Sequence, residues 1–162
     1  MTKAPSFAAL RSTSDLASRV GRGNRARNTK PELLLRRALR KRGVRYSLHE
    51  RGLPGKPDIV LRQARIAIFC DGDFWHGRRW AERRKKLRKG ANATYWIAKI
   101  SRNIQRARRV NRALRAMNWR VVRVWESQII RNADAIAREI IRTARSKRSL
   151  SNGWSAHAAI RL

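Results

Sequence analysis

The pattern of apolar and polar residues first predicts a helix. Residues 29–32 (TKPE) have the form of a capping box, with a threonine N-cap, a proline in the first turn and a glutamate three residues after the threonine. Apolar residues then recur at helical spacing, with Arg and Lys on the other face, as far as Gly43, where a left-handed C-cap is expected.

Three strands are predicted after this helix. Residues 44–49 alternate between apolar and polar side chains, which is typical of a half-buried strand. Residues 53–57 (LPGKP) form a turn, and residues 58–61 and 66–69 are the second and third strands. The third strand ends at residues 70–73 (CDGD).

The second half of the chain predicts a long helix, a fourth strand and a last helix. Residues 78–89 hold eight basic residues and one acid, which indicates a solvated helix or loop. Helical spacing of apolar residues continues from about Thr94 to Met117, and residues 119–125 (WRVVRVW) are the fourth strand. Asn132 is predicted to cap the last helix.

These elements follow one another in the order α-β-β-β-α-β-α. Three successive strands suit a meander, and a strand reached through a long helix suits a parallel crossover on the same sheet. We therefore expect an α/β protein with a mixed central sheet flanked by helices. This domain would span residues 28–145, between a flexible basic N-terminal arm at 1–27 and a polar C-terminal tail at 146–162.

The charge of the chain indicates a polyanionic partner. The 162 residues include 41 Lys or Arg and 10 Asp or Glu, for a formal net charge of +31. Such a surface repels itself unless a polyanion such as nucleic acid neutralises it. The composition of a GC-rich genome would explain the excess of Arg over Lys but not the scarcity of acids. An anionic membrane surface is the weaker alternative, because no segment pairs a clean apolar face with a basic one.

The lack of a second cysteine and of a long apolar stretch further limits the classes of protein to which this chain can belong. Cys70 is the only cysteine, which excludes an intramolecular disulfide and disfavours a zinc site made only of protein ligands. No apolar stretch approaches the roughly 18 residues that a membrane-spanning helix needs.

Three of the ten acids, Asp58, Asp71 and Asp73, fall within sixteen positions of the chain. Asp58 begins one predicted strand and Asp71 ends the next, so an antiparallel hairpin would bring both carboxylates to one end of the sheet. Unpaired carboxylates repel each other, and a hard divalent cation such as Mg²⁺ removes that penalty. A metal beside a polyanion-binding surface suggests phosphodiester hydrolysis, and His76 could take a proton from the attacking water.

Each of these residues also has a structural interpretation. Asp58 could be a turn residue, the acids at 71 and 73 could pair with nearby arginines, and Glu32 is explained by the capping box. His76 could be structural, and residues 74–75 (FW) could belong to the core. The convergence of the acids and the histidine favours the catalytic interpretation.

The sequence resembles the very short patch repair (Vsr) endonucleases of the PD-(D/E)xK nuclease superfamily. The matching segments are residues 28–39 (NTKPELLLRRAL), 53–60 (LPGKPDIV), 68–77 (IFCDGDFWHG) and 119–126 (WRVVRVWE), together with Lys99, Asn103 and Arg106. The resemblance extends over about residues 18–143. It implies a restriction-endonuclease-like fold in a bacterial, nucleoid-associated enzyme of the cytoplasm. Such an enzyme uses Mg²⁺ (or Mn²⁺) to nick one strand of double-stranded DNA at a T:G mismatch, and we expect a monomer because one active site cuts one strand.

The resemblance also implies roles for residues of the candidate site. Asp58 matches the family's metal-binding aspartate, and Cys70 falls where the family uses a backbone carbonyl as a metal ligand. His76 matches the histidine that activates water, and Glu32 matches a helix glutamate that would orient a metal-bound water or His76. Together with Asp71, these residues form the predicted catalytic and metal site.

The expected contacts with DNA come from aromatic and basic side chains. Phe74 and Trp75 match aromatics that insert into DNA beside a T:G mismatch, where they would replace lost base stacking. Phosphate contacts are expected from the basic segment and the long helix. The candidate DNA-binding residues are Phe74, Trp75, Arg78, Arg79, Arg83, Lys85, Lys86, Lys99, Asn103 and Arg106.

The chain departs from the family pattern at three positions near the site. Asp71 stands where well-known members have histidine, and an acid there could ligate the metal directly. Asp73 replaces the lysine that is usual in the superfamily, so the activation of water depends on His76. Ala107 stands where many relatives carry an acid.

A further departure concerns zinc. Zinc-bearing members place Cys or His at four positions that here hold Asp73, Arg78, Trp80 and Ser127. Without thiolates the usual tetrahedral site cannot form, so we expect no structural zinc. Packing of Trp80 or an ion pair between Arg78 and Asp73 would brace the loop instead.

Two other functions stay open at this point. A nuclease of the same fold could serve restriction or defence and cut by site or modification rather than by mismatch. A non-catalytic basic protein could coat nucleic acid, although acids clustered near phosphate disfavour simple binding. Partners in the repair machinery are not indicated by any motif.

Overall fold

The computed structural model describes residues 27–146, so the predicted arm and tail lie outside the described residues except at their inner ends. The elements are α1 (Lys30–Lys41), β1 (Ser47–Leu48), β2 (Ile59–Leu61), β3 (Ile66–Asp71), α2 (Trp80–Arg88), α3 (Ala93–Ala116), β4 (Arg120–Trp125) and α4 (Glu126–Arg145). The order matches the sequence prediction except for α2, which forms in the segment predicted as a helix or loop. Within this range no helix has both the length and the apolar character that crossing a membrane would require.

One four-stranded sheet has the strand order β1-β2-β3-β4. β1 and β2 pair antiparallel, as do β2 and β3, while β3 and β4 pair parallel. The antiparallel meander and the parallel crossover are therefore confirmed, and the fold is α/β with a mixed sheet flanked by helices.

A hydrophobic core lies on each face of this sheet. Ile66 and Ile68 of β3 face α1 and α4, while Ala67 and Phe69 face α3. Burying one large aliphatic side chain contributes about 1.5–3 kcal/mol to stability. Because side chains alternate along a strand, Asp71 shares the α3 face with Phe69.

Hydrogen bonds at both ends of α1 set its length. Thr29 is the N-cap, but its hydroxyl donates to Glu32 (2.9 Å) instead of accepting a backbone N–H. The other Glu32 oxygen accepts the N–H of Asn28, the residue before the N-cap, at 3.0 Å. Neither half of the predicted capping box is therefore formed, and Glu32 holds the start of the helix through Asn28 and the Thr29 hydroxyl. At the C-terminal end Gly43 has a φ of 70° and donates to the Arg40 carbonyl, as predicted.

α4 begins earlier than the sequence predicts, at Glu126. Asn132 lies inside this helix with a non-helical backbone, at φ −158° and ψ 76°. Its side-chain oxygen accepts the Ala135 N–H at 2.9 Å, so Asn132 caps the second part of the helix. The predicted cap is therefore confirmed, and the helical turns before it are what the sequence analysis missed.

Candidate active site

Asp58 is held at the end of β3 by two hydrogen bonds. Its backbone N–H donates to the Ile68 carbonyl (3.0 Å), and its side chain accepts the Cys70 N–H (2.8 Å). Asp71 is the last residue of β3. The prediction that Asp58 and Asp71 lie at the same end of the sheet is therefore confirmed.

The backbone of Cys70 faces Asp58. In a paired strand the N–H and C=O of one residue point to the same neighbour, so the Cys70 carbonyl is directed to the side of Asp58. Pro57, the residue before Asp58, has no N–H to donate to that carbonyl. Burial raises the pKa of the Cys70 thiol well above its ordinary value, so the group that Cys70 can offer a metal is its carbonyl oxygen.

Glu32, His49 and Asp58 form a cluster whose potential ligand atoms lie within 4.8 Å of one another. Glu32 comes from the first turn of α1 and is buried. Leu48 lies opposite Ile59 in the β1–β2 register, so the next residue, His49, falls opposite Asp58. β1 is shorter than the predicted strand at both ends: residues 44–46 are outside it, and His49 leaves it at a φ of 48°. The sequence analysis missed His49, for which the strand register is the only signal.

Arg36 already neutralises part of this three-residue cluster. Its guanidinium donates to Glu32 at 2.7 Å and lies 3.1 Å from Nε2 of His49. Burial first, and then the charge of Arg36, lower the pKa of His49, so its imidazole is neutral at pH 7. Glu32 and His49 therefore contact the Arg36 guanidinium, whereas the hydrogen bond that Asp58 accepts comes from the neutral backbone N–H of Cys70.

The pKa of Asp58 is raised from 3.8 to about 6. Burial is the largest cause, the Cys70 N–H opposes it, and the negative charges of Glu32 and Asp71 add to the rise. At neutral pH the carboxylate is ionised at an energetic cost, and a bound cation would remove that cost.

Asp71 forms an ion pair, as one alternative in the sequence analysis allowed, but its partner Arg123 is 52 residues away in the chain. Both of its oxygens accept from Nη1 of Arg123, at 2.6 and 2.9 Å, and both side chains are buried. Nε of Arg123 donates to Asn111 (3.0 Å), and its guanidinium lies 4.2 Å from the centroid of the Phe69 ring. The premise that Asp71 is an unpaired carboxylate is therefore wrong, and its role as a metal ligand stays a prediction.

His76 lies beside Asp71. Its Nδ1 is 3.4 Å from Oδ1 of Asp71, which is longer than a hydrogen bond, and no other described group bonds to this buried nitrogen. Burial lowers the pKa of His76 while the charge of Asp71 opposes that shift, so the imidazole is neutral at pH 7 and can accept a proton. The charge of Asp71 acts on both Asp58 and His76, so Asp71 lies near both the candidate metal site and the candidate base.

An ion-pair clamp fastens the loop at 72–79, which carries His76, to the start of α4. Arg78 pairs with Asp73 at 2.9 Å, as predicted, and also donates to the Ser127 hydroxyl. The Asp73 N–H donates to Glu126 at 2.9 Å. The predicted ion pair is therefore confirmed within the loop, and the hydrogen bonds to Glu126 and Ser127 join the loop to the start of α4.

α3 holds the same loop from the other side. The Asn103 amide donates to the Trp75 carbonyl at 3.0 Å. Gly77 has a φ of 70°, and a Cβ at this position would lie 2.7 Å from Cδ1 of Ile104. The loop therefore packs so closely on α3 that only glycine fits there.

The chain is similar to proteins that cut DNA. The family model described as DNA mismatch endonuclease Vsr matches residues 12–82. The type II nicking enzyme V.NmeDIP of Neisseria meningitidis serogroup C is 35% identical over 141 residues, which are 87% of this chain and 94% of that protein. The type II nicking enzyme V.NaeI of Lentzea aerocolonigenes is 41% identical over 128 residues, 73% of this chain and 72% of that protein. The DNA mismatch endonuclease Vsr of Escherichia coli K12 is 35% identical over 101 residues, 62% of each chain.

The chain belongs to the Vsr endonuclease family. It is a DNA endonuclease, as the sequence resemblance implied, and DNA is its substrate.

In this Vsr endonuclease an aromatic cluster lies beside the loop. The rings of Phe74 and Trp75 meet edge to face with centroids 5.1 Å apart, and Trp96 of α3 lies 5.5 and 5.9 Å from them. Nζ of Lys99 lies 5.3 Å from the Trp75 ring and donates to the Tyr95 hydroxyl. Phe74 and Trp75 are partly exposed, so they are not ordinary core residues. Trp96 belongs to the apolar residues that predict the long helix, and the sequence analysis did not place it in this cluster.

The other predicted DNA-binding residues divide into two groups. Those on the exposed surface of α2 and α3 or at the start of α2 are Arg79, Lys85, Lys86 and Arg106. Those with a partner in or near the loop are Arg78, Arg83 and Asn103. The Arg83 guanidinium lies 5.3 Å from the centroid of the Phe74 ring. The first group is therefore available for phosphate contacts, while the second group supports the loop and its aromatic residues.

Proposed function

We propose that this Vsr endonuclease nicks one strand of duplex DNA at a T:G mismatch and that nicking requires Mg²⁺ (or Mn²⁺). The observation that carries the proposal is Asp58, which in a chain of net charge +31 is ionised at pH 7 close to two further acids, Glu32 and Asp71. An ionised carboxylate binds a divalent cation and repels a phosphate of DNA.

The residues around Asp58 fit a magnesium ion. Mg²⁺ commonly takes one or two carboxylates, keeps several waters and accepts a phosphate oxygen of the substrate. The Asp58 carboxylate and the Cys70 carbonyl would hold it, with Glu32 near enough to bind one of its waters. When bound, the ion would stabilise charge on the phosphate and lower the pKa of a water.

His76 is the candidate general base. Its lowered pKa leaves the imidazole neutral, so it can take a proton from a water that approaches the scissile phosphate. Nδ1 faces Asp71, and the proton would therefore be accepted at Nε2. The enzyme would act as a monomer, because one such site suffices to cut one strand.

The aromatic cluster is the candidate mismatch probe. A T:G pair is less costly to unstack than a matched pair, and an inserted aromatic ring replaces the lost stacking. Phe74 and Trp75 are held by the clamp and by α3, so the pair approaches DNA in a fixed orientation. The exposed cations of α2 would contact phosphates without reading sequence.

A nicking assay on a substrate panel tests this proposal. Matched and T:G duplexes with one labelled strand each are incubated with Mg²⁺, with Mn²⁺ or with EDTA. We expect one nicked strand in the T:G duplex only, and none in EDTA. Asp58→Asn is expected to be inactive, whereas Asp134→Asn, an exposed aspartate on α4, should nick at the wild-type rate.

Other outcomes would identify the alternatives. Equal cleavage of matched and mismatched duplexes would replace mismatch repair with a restriction or defence function. Binding without cleavage under any divalent ion would indicate a non-catalytic DNA-binding protein. Nicking in EDTA by Asp58→Asn would overturn the metal site.

A further inference from the structure

We infer that Asp71 is a positioning residue for His76, held by Arg123 and Asn111, and not a ligand of the metal. This inference rests on the proposed function, because it assigns a role within the same site. It is carried by a buried chain of contacts that runs from α3 through β4 and β3 to the loop of His76.

The chain of contacts begins on the α3 face of the sheet. Asn111 of α3 is buried and accepts from Nε of Arg123 at 3.0 Å. Arg123 of β4 places one nitrogen, Nη1, on both oxygens of Asp71. Oδ1 of Asp71, the oxygen nearer to Nη1, also faces Nδ1 of His76. Arg123 and Asp71 are thus each held by the group before them, and His76 stands at the end of this chain with Nδ1 3.4 Å from Oδ1 of Asp71.

The Asp71 carboxylate already forms an ion pair with the Arg123 guanidinium. Its side chain and that of Arg123 are 4% and 5% exposed, so water screens their attraction very little. A metal ion on the same oxygens would stand next to the guanidinium and be repelled by it. Asp58 differs because its hydrogen bond comes from the neutral N–H of Cys70, while Arg36, whose charge also acts on Asp58, is bonded to Glu32. Among the described residues, no guanidinium is therefore bonded to the oxygens of Asp58.

His76 needs a partner at Nδ1. This nitrogen is buried and makes no hydrogen bond among the described residues, although Oδ1 of Asp71 stands 3.4 Å away. A carboxylate oxygen in that place favours the tautomer that carries its proton on Nδ1. Nε2 then keeps the lone pair that accepts a proton from water. Catalytic hydrogen bonds are often long in the free enzyme and shorten when substrate binds.

The test separates positioning from metal binding by two measurements on Asp71→Asn. The first is the affinity for Mn²⁺ in the absence of DNA, measured by electron paramagnetic resonance. The second is single-turnover nicking of a T:G duplex at saturating Mn²⁺. We expect the Mn²⁺ dissociation constant to change by less than about threefold, since removing even a group that only supports a metal ligand typically costs about tenfold or more, and a ligand costs no less. The nicking rate should fall by about 10²–10⁴-fold, with unchanged affinity for DNA.

A spectroscopic signature shows whether the effect passes through His76. Nitrogen-15 spectra of the imidazole should show the Nδ1–H tautomer in the wild type and a shift towards Nε2–H in Asp71→Asn. Arg123→Gln is the second variant, because it removes the charge and keeps a donor for Asp71, and it should show a smaller loss of rate without loss of Mn²⁺ affinity.

Three results would overturn the inference. They are a Mn²⁺ affinity reduced tenfold or more by Asp71→Asn, an unchanged nicking rate in that variant, or an unchanged tautomer. If the proposed function were wrong, the wild type would show no metal-dependent nicking at a T:G mismatch, or Asp58→Asn would nick as the wild type does. Neither result depends on Asp71.

Discussion

Replacing Asp58 with asparagine should stabilise the protein while it stops nicking. The folded state raises the pKa of Asp58 from 3.8 to about 6, so folding favours the protonated form. The ionised side chain therefore destabilises the fold, and the penalty grows as the pH rises from about 4 to 6. A rise of this size corresponds to about 3 kcal/mol at neutral pH.

Asparagine has no charge at any pH, and its side-chain oxygen can still accept the Cys70 N–H. In EDTA at pH 7.5, Asp58→Asn should therefore unfold with a free energy up to about 3 kcal/mol higher than the wild type. At pH 5 the gain should be about half as large, because the wild-type side chain is then mostly protonated in the folded state. Urea denaturation at the two pH values measures both differences.

The matched control is Asp134→Asn. Arg42 holds the pKa of this exposed carboxyl below its ordinary value, so neutralising it should give no stabilisation at pH 7.5. Added Mg²⁺ should stabilise the wild type and this control but not Asp58→Asn. The reasoning fails if Asp58→Asn is no more stable than the wild type at pH 7.5, or if its gain is the same at both pH values.

Three further expectations follow from the same geometry. Mg²⁺ affinity, measured by calorimetry, should weaken as the pH falls below about 6, because the proton then competes for Asp58. Phe74→Ala should lose about tenfold or more of the preference for a T:G duplex in nicking rate, because the ring no longer replaces base stacking. The double variant Lys85→Ala/Lys86→Ala should bind matched and T:G duplexes equally less well, with the slope of log K against log salt reduced by about 2 if each lysine contacts one phosphate.

The sequence was sufficient to locate Asp58 but not the partners of Asp71. Asp58 and Asp71 belong to a hairpin whose strands and turn can be identified from local alternation, so their meeting at one end of the sheet follows from the pattern. Arg123 is 52 residues from Asp71, on a strand reached through α2 and α3. The pair forms because the parallel register places Arg123 opposite Phe69, which is two residues before Asp71 on the same face of the sheet. Nothing in the local sequence specifies a parallel register.

His49 was missed for a related reason. In the strand pattern it is one polar residue among several, and its importance comes only from lying opposite Asp58. Arg36 was equally hidden, since on a helical wheel it belongs to the basic face of α1, yet it is 7% exposed in the structure. A long side chain can reach inward from the border of such a face, so the alternation of the sequence does not show which arginine is buried.

The Asp73–Arg78–Ser127 clamp gives a reason to expect that the fold needs no metal, in contrast to the metal-dependent nicking proposed above. Partly exposed ion pairs contribute about 0–1 kcal/mol each, far less than a structural zinc site, so the loop also depends on the close packing of Gly77 against α3. All these contacts are made by the chain itself. EDTA should therefore abolish nicking in Mg²⁺ buffer, whereas in buffer without added metal EDTA-treated and untreated protein should have the same melting temperature. Arg78→Met should lower the melting temperature with or without EDTA, because it removes the clamp and not a metal. If EDTA alone lowered the melting temperature, the loop would be fastened by an ion and the clamp would not be its main support.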